Sequence, residues 1–95
     1  MTPEEINQKI IGYLKKYDPV MIGLFGSRAR GDYEPNSDLD ILVNLKKKFG
    51  LIEYIGIERE LTELIGIKVD LVTENSLKNE KLKKYIYKDL KIIYQ

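Results

Sequence analysis

The order helix, strand, acid-bearing strand, helix, acid-bearing strand, helix, strand predicts an α/β (α+β) sandwich, with helices covering one face of a small sheet and acidic residues on the other. Three observations carry this. Residues 38–45 alternate, so that Asp38 and Asp40 share one face and Leu39, Ile41, Val43 and Leu45 the other. Residues 51–65 repeat their apolar positions at helical spacing and end at Gly66. A Gly-Ser turn closes the apolar run that precedes the first Asp pair.

Each element has its own signal. Thr2-Pro3-Glu4-Glu5 is a capping box with Pro at the first helical position, and Ile6, Ile10, Tyr13, Leu14 and Tyr17 then share one face. Asp18-Pro19 stops that helix near Tyr17. Residues 20–25 (Val-Met-Ile-Gly-Leu-Phe) form a strand, which Gly26-Ser27 ends. In the second helix Tyr54, Ile57, Leu61, Leu64 and Ile65 form the stripe, and Gly56 weakens it by about 1 kcal/mol relative to Ala. Residues 68–73 read as a strand with Val69 and Leu71 inward and Asp70 outward. Asn75-Ser76 can cap a third helix over 77–87, and residues 90–94 read as a final strand at a sheet edge. No repeat, low-complexity tract or linker interrupts the chain, and its 95 residues suit one domain over 1–95.

The run from Gly26 to Ile41 carries the chemistry. If Ser27 opens a helical turn through Arg30, its hydroxyl and the free N–H groups of that turn face beyond the strand end, where an anion such as phosphate is favoured. Gly26 leaves room for a close approach. Asp38 and Asp40 lie roughly 6.6 Å apart along a strand, within reach of divalent ions about 3.5 to 4 Å apart. Oxygen-only ligands favour magnesium or manganese over zinc. Pairing the two acid-bearing strands would set Asp70 beside the pair as a third carboxylate. Arg28 and Arg30 belong to the candidate nucleotide site. Arg30 has Asp32 and Asp38 as alternative partners, and Arg28 also suits a structural or solvated role.

Composition closes other routes. With no Cys and no His there is no disulfide framework, no Cys or His zinc site, no Cys nucleophile and no Ser-His-Asp triad. Acid and base work falls to carboxylates, Lys, Tyr or metal-bound water. No apolar run approaches a membrane span, and the N-terminal capping box is unlike a signal peptide, so the expected location is cytoplasmic. The net charge is +1, but residues 76–95 hold six Lys against Glu80 and Asp89, a balance of +4. Such a run suits a solvated helix face, an acidic partner or nucleic acid. Lys46, Lys47 and Lys48 follow the acid-bearing strand, where they could screen a triphosphate or form an exposed loop.

Gly26-Ser27, Ala29-Arg30-Gly31 and Ser37-Asp38-x-Asp40, with a strand Asp about thirty residues on, resemble the minimal nucleotidyltransferases of the DNA polymerase beta superfamily over nearly the whole chain. The resemblance implies a nucleotidyltransferase fold with a small mixed sheet, and Gly26 and Ser27 on the β and γ phosphates of a nucleoside triphosphate. It further implies two Mg²⁺ ions on Asp38, Asp40 and Asp70, with Mn²⁺ as a substitute, and Asp70 helping to deprotonate the attacking hydroxyl. It also implies transfer of AMP from ATP to a hydroxyl, with a tyrosine of a HEPN-type toxin as acceptor, so that the chain serves as antitoxin. Two alternatives stay open: an antitoxin that acts by binding alone, and transfer to a nucleic acid end.

Overall fold

The computed structural model describes residues Met1–Gln95. Helix α1 (Pro3–Leu14) starts from the capping box the sequence predicts: Thr2 Oγ1 accepts the Glu5 N–H at 3.1 Å and Glu5 Oε1 accepts the Thr2 N–H at 2.9 Å. It tightens into a 3-10 turn at Lys15–Tyr17, and Asp18, at φ 56°, turns the chain into strand β1 (Pro19–Phe25). A short helix α2 (Gly26–Arg30) leads through an exposed loop to strand β2 (Leu39–Leu45). Helix α3 (Leu51–Ile65), closed by Gly66 at φ 80°, connects β2 to strand β3 (Val69–Thr73). A 3-10 turn (Glu74–Ser76), helix α4 (Glu80–Lys88) and strand β4 (Lys91–Tyr94) complete the chain.

The strands form one mixed sheet in the order β3-β2-β1-β4, with β1 antiparallel to β2 and β4 and with β2 parallel to β3. Parallel neighbours need a crossover, and α3 supplies it. Alternation on the strands sorts the side chains. Ile22, Leu39, Ile41, Val43, Val69 and Leu71 point to α1 and α3, where they meet Ile10, Leu14, Ile57, Leu61 and Ile65 in the main core. The opposite face carries the acids, as the alternation predicts.

That second face also has a helix of its own. Met21, Phe25 and Leu42 pack with Leu77 and Ile86, so α4 covers the β1 end of the face while the carboxylates occupy its β2–β3 end. The start of α4 differs from expectation. Asn75 and Ser76 lie in the 3-10 turn, and Asn79 is the cap, its Oδ1 accepting the N–H groups of Lys81 at 2.9 Å and Leu82 at 3.1 Å. Leu77 is drawn into the second core instead of starting the helix, because burying it contributes more than an extra partial turn would.

The β3 edge is closed by α3. Thr62 Oγ1 accepts the Val69 N–H at 3.0 Å, Glu58 Oε2 accepts the Leu71 N–H at 2.8 Å, and the Tyr54 hydroxyl donates to the Leu71 carbonyl. These bonds satisfy the groups an edge strand would otherwise offer to another chain, and they fix the height of β3 against β2.

Candidate active site

The site lies where β1 ends and β2 and β3 begin. In the register of the antiparallel pair Phe25 faces Asp40, and in the parallel pair Asp40 faces Asp70. Residues opposite one another in adjacent strands share a face, so both carboxylates stand side by side, as the sequence predicts. Asp38 lies just before β2, half-buried, with Lys68 Nζ at 4.0 Å from its Oδ2. The Leu39 N–H donates to the Lys68 carbonyl at 2.8 Å, which ties the entry of β2 to the entry of β3.

Gly26 abuts this group. Its φ of +76° is a left-handed conformation, and a Cβ there would stand 2.2 Å from Asp40 Oδ2. Glycine is therefore required twice over, by backbone conformation and by the carboxylate filling the space beside it. Ser27 follows, half-buried, at the first turn of α2, where backbone N–H groups have no partner within the helix. Ala29 is buried beneath the turn and Gly31 closes it, its N–H donating to the Ser27 carbonyl at 2.9 Å.

The two arginines hold the loop over residues 31–38. Arg28 Nε donates to the Ser37 carbonyl at 3.0 Å, its guanidinium lies 4.4 Å over the Tyr33 ring, and a second bond reaches the Pro35 carbonyl at 3.4 Å. Arg30 pairs with Asp32 at 3.2 Å and with Asp89 at 3.0 Å. The expected Asp32 partner is present and Asp38 is not among its contacts. Asp89, distant in sequence at the end of α4, carried no signal that would have identified it.

Electrostatics single out the strand acids. Asp40 is pushed up to about 6, first by burial and then by Asp70 and Asp38, against the opposing pull of Arg30. Asp70 is also raised, by burial first, then by Glu58 and Asp38, with Lys68 opposing. Glu58 was not singled out from the sequence. It sits one helical turn beyond Tyr54, whose hydroxyl burial and Glu58 push up to about 12, and only the pairing of α3 with β3 brings it beside Asp70.

No three acidic side chains converge closely enough to form a ready cage for a metal ion. The donor set nevertheless suits a hard divalent cation. It is all oxygen, its like charges raise one another, and the nearest cation, Lys68, stays largely exposed at the limit of pairing distance from Asp38. Arranged so, the group can offset positive charge at Asp38, Asp40 and Asp70 while the turn at Gly26 and Ser27 meets an anion.

A cleft of about 710 Å³ opens from Asp70 along β3, walled by Phe49, Leu51 and Tyr54 and reaching Lys47 and Lys48 at its other end. No helix is long and apolar enough to cross a membrane.

Residues 8–95 match the protein family described as polymerase beta, nucleotidyltransferase. The chain is 43% identical over 88 residues to MJ1217 of Methanocaldococcus jannaschii, named a candidate protein adenylyltransferase, covering 92% of this chain and 90% of that protein. It is 37% identical over 83 residues to protein adenylyltransferase MntA of Thermococcus cleftensis, covering 83% and 84%. Among solved structures, a toxin–antitoxin crystallised with AMP-PNP superposes with a TM-score of 0.82 at 28% identity, over 93% of this chain and 72% of that one.

Proposed function

The chain belongs to the polymerase beta nucleotidyltransferase family, and from that membership we propose that it is a protein adenylyltransferase that moves AMP from ATP to a tyrosine hydroxyl of a HEPN-type toxin, acting as its antitoxin. The observation that carries the reading is the register of Asp40 against Asp70 with Gly26 pressed against the Asp40 carboxylate. It supports a reading in which an anion cradle and an acid cluster flank one point. The names of the relatives, protein adenylyltransferase and toxin–antitoxin, support the acceptor class.

In this reading Gly26 and Ser27 hold the β and γ phosphates through backbone N–H groups and the Ser27 hydroxyl. Gly26 permits the approach, Arg28 and Arg30 keep the following loop in place, and Arg28, bonded only to carbonyls, keeps its positive charge for the phosphates. Asp38, Asp40 and Asp70 would hold two Mg²⁺ ions, or Mn²⁺ in their place. When bound, such ions neutralise phosphate charge and make a hydroxyl easier to deprotonate. Asp70, on the side away from the cradle, accepts the proton of the acceptor hydroxyl. The acceptor oxygen forms a bond to the α phosphorus as the bond to the bridging oxygen of pyrophosphate breaks, and pyrophosphate leaves on the Gly26 side. Asp40, between cradle and acceptor, sits where charge changes most.

Calorimetric titration of ATP checks the site. Binding should be much tighter with Mg²⁺ than with EDTA, and Asp38→Asn together with Asp40→Asn should erase that difference. Equal affinity with and without the metal would overturn the assignment.

A further inference from the structure

We infer that the loop carrying Lys46, Lys47 and Lys48, with the exposed start of α3, forms a docking surface for an acidic segment of the acceptor protein, which delivers its hydroxyl along the cleft to Asp70. The inference rests on the proposed protein-directed transfer and adds the surface and the charge of the partner.

The cleft is directional. Asp70 lies near the start of β3, and Lys47 and Lys48 follow the end of its parallel neighbour β2, so they line the cleft from opposite ends. Leu51 forms part of its wall and is still 72% exposed, and Ile55 and Ile52 continue outward from it at 55% and 88% exposure. At about 100° per residue, Ile55 lies about 40° and Ile52 about 100° round the helix from Leu51, so the three form one ridge beside the cleft. None of them belongs to either core. A single exposed aliphatic residue needs no explanation, but three clustered within the first two turns of α3 form an anchor of the kind that enters a protein interface.

The charge beside the ridge selects the partner. Lys46, Lys47 and Lys48 are exposed, and the ion pairs of the chain are all made by other residues. They are poorly placed to serve the phosphates held at Gly26 and Ser27. That cradle adjoins Asp40, near the start of β2, whereas Lys46 follows its last residue, roughly 16 to 20 Å away at about 3.3 Å per residue. Lys47 and Lys48, which line the cleft with Leu51, and the adjoining Lys46 are unpaired cations that match an acidic amphipathic segment. The carboxylate end of the cleft repels its acidic residues and the lysine end attracts them, so the segment enters in one direction, with its hydroxyl-bearing residue toward Asp70.

The test measures binding of a fluorescein-labelled random copolymer of Glu, Ala and Tyr by anisotropy without nucleotide, alongside separate calorimetry of ATP with Mg²⁺. Lys46→Glu with Lys47→Glu and Lys48→Glu should weaken copolymer binding about tenfold or more, and Ile52→Ser with Ile55→Ser about fivefold. Lys81→Glu with Lys84→Glu, in the other lysine-rich region, should change it less than twofold. All these positions are exposed, and circular dichroism confirms that each variant is folded. Unchanged binding in the first two variants, or an equal loss in the third, overturns the inference. So does displacement of the copolymer by an equimolar single-stranded oligodeoxynucleotide, or a wild-type dimer that Ile52→Ser with Ile55→Ser makes monomeric. Failed docking with ATP binding intact leaves the transfer reading standing; intact docking with ATP binding absent leaves the surface and removes the enzyme.

Discussion

Asp40→Asn should make the protein more stable while removing its activity. Asp40 carries a proton affinity raised from 3.8 to about 6 by burial and by Asp70 and Asp38. Its ionised form is thus disfavoured in the folded state by about 3 kcal/mol at full value, taking about 1.4 kcal/mol per pH unit. Asp40 is only half-buried, and screening by water reduces this to about 1 to 2 kcal/mol. A folded-state value above the unfolded one means that the native protein binds the extra proton. Stability therefore falls as pH rises from about 3.8 to about 6, and the full penalty persists above that. Asn removes the charge with little change of size, so the variant should melt about 4 to 16 °C higher than wild type at pH 7.5 in EDTA. The gap should narrow steadily below pH 6 and nearly vanish at pH 4, and comparing the two proteins at each pH cancels the other titrations. Thermal melts followed by circular dichroism measure it directly. A variant less stable than wild type at pH 7.5, or a gap that does not change with pH, would refute the reasoning.

Gly26→Ala should cost about 2 to 4 kcal/mol in urea unfolding, since the new Cβ meets Asp40 Oδ2 and the residue keeps a left-handed φ. A loss below 0.5 kcal/mol would mean that the two elements part easily. Ser27→Ala should fold normally, because α2 is anchored by Ala29 and Gly31, yet weaken ATP binding by about 0.5 to 1.5 kcal/mol in calorimetry. If it unfolds the chain instead, Ser27 is a structural cap.

What was legible in the sequence was whatever a local pattern encodes. Thr2 and Glu5 announced their capping box, Gly66 the end of α3, and the alternation from Asp38 to Leu45 the face on which Asp40 lies. Asp70 was legible because a second alternating segment had only one acid facing the same way, and parallel pairing then set it opposite Asp40. Long-range partners were not. Arg30 meets Asp89 across the whole second half of the chain, and Glu58 meets Leu71 only because α3 lies along the β3 edge. The start of α4 was misplaced because Asn75 and Asn79 offer equal local caps, and the choice depends on Leu77 packing against Phe25 and Leu42 in the second core.

Intact mass spectrometry of a purified HEPN-type partner, incubated with this protein, ATP and Mg²⁺, tests the central claim most directly. The partner should gain whole adenylyl groups with wild type, while Asp38→Asn with Asp40→Asn should still bind the partner but lower the rate by several orders of magnitude. A partner neutralised fully by that variant, with its mass unchanged by the wild type, would contradict transfer and leave an antitoxin that acts by contact.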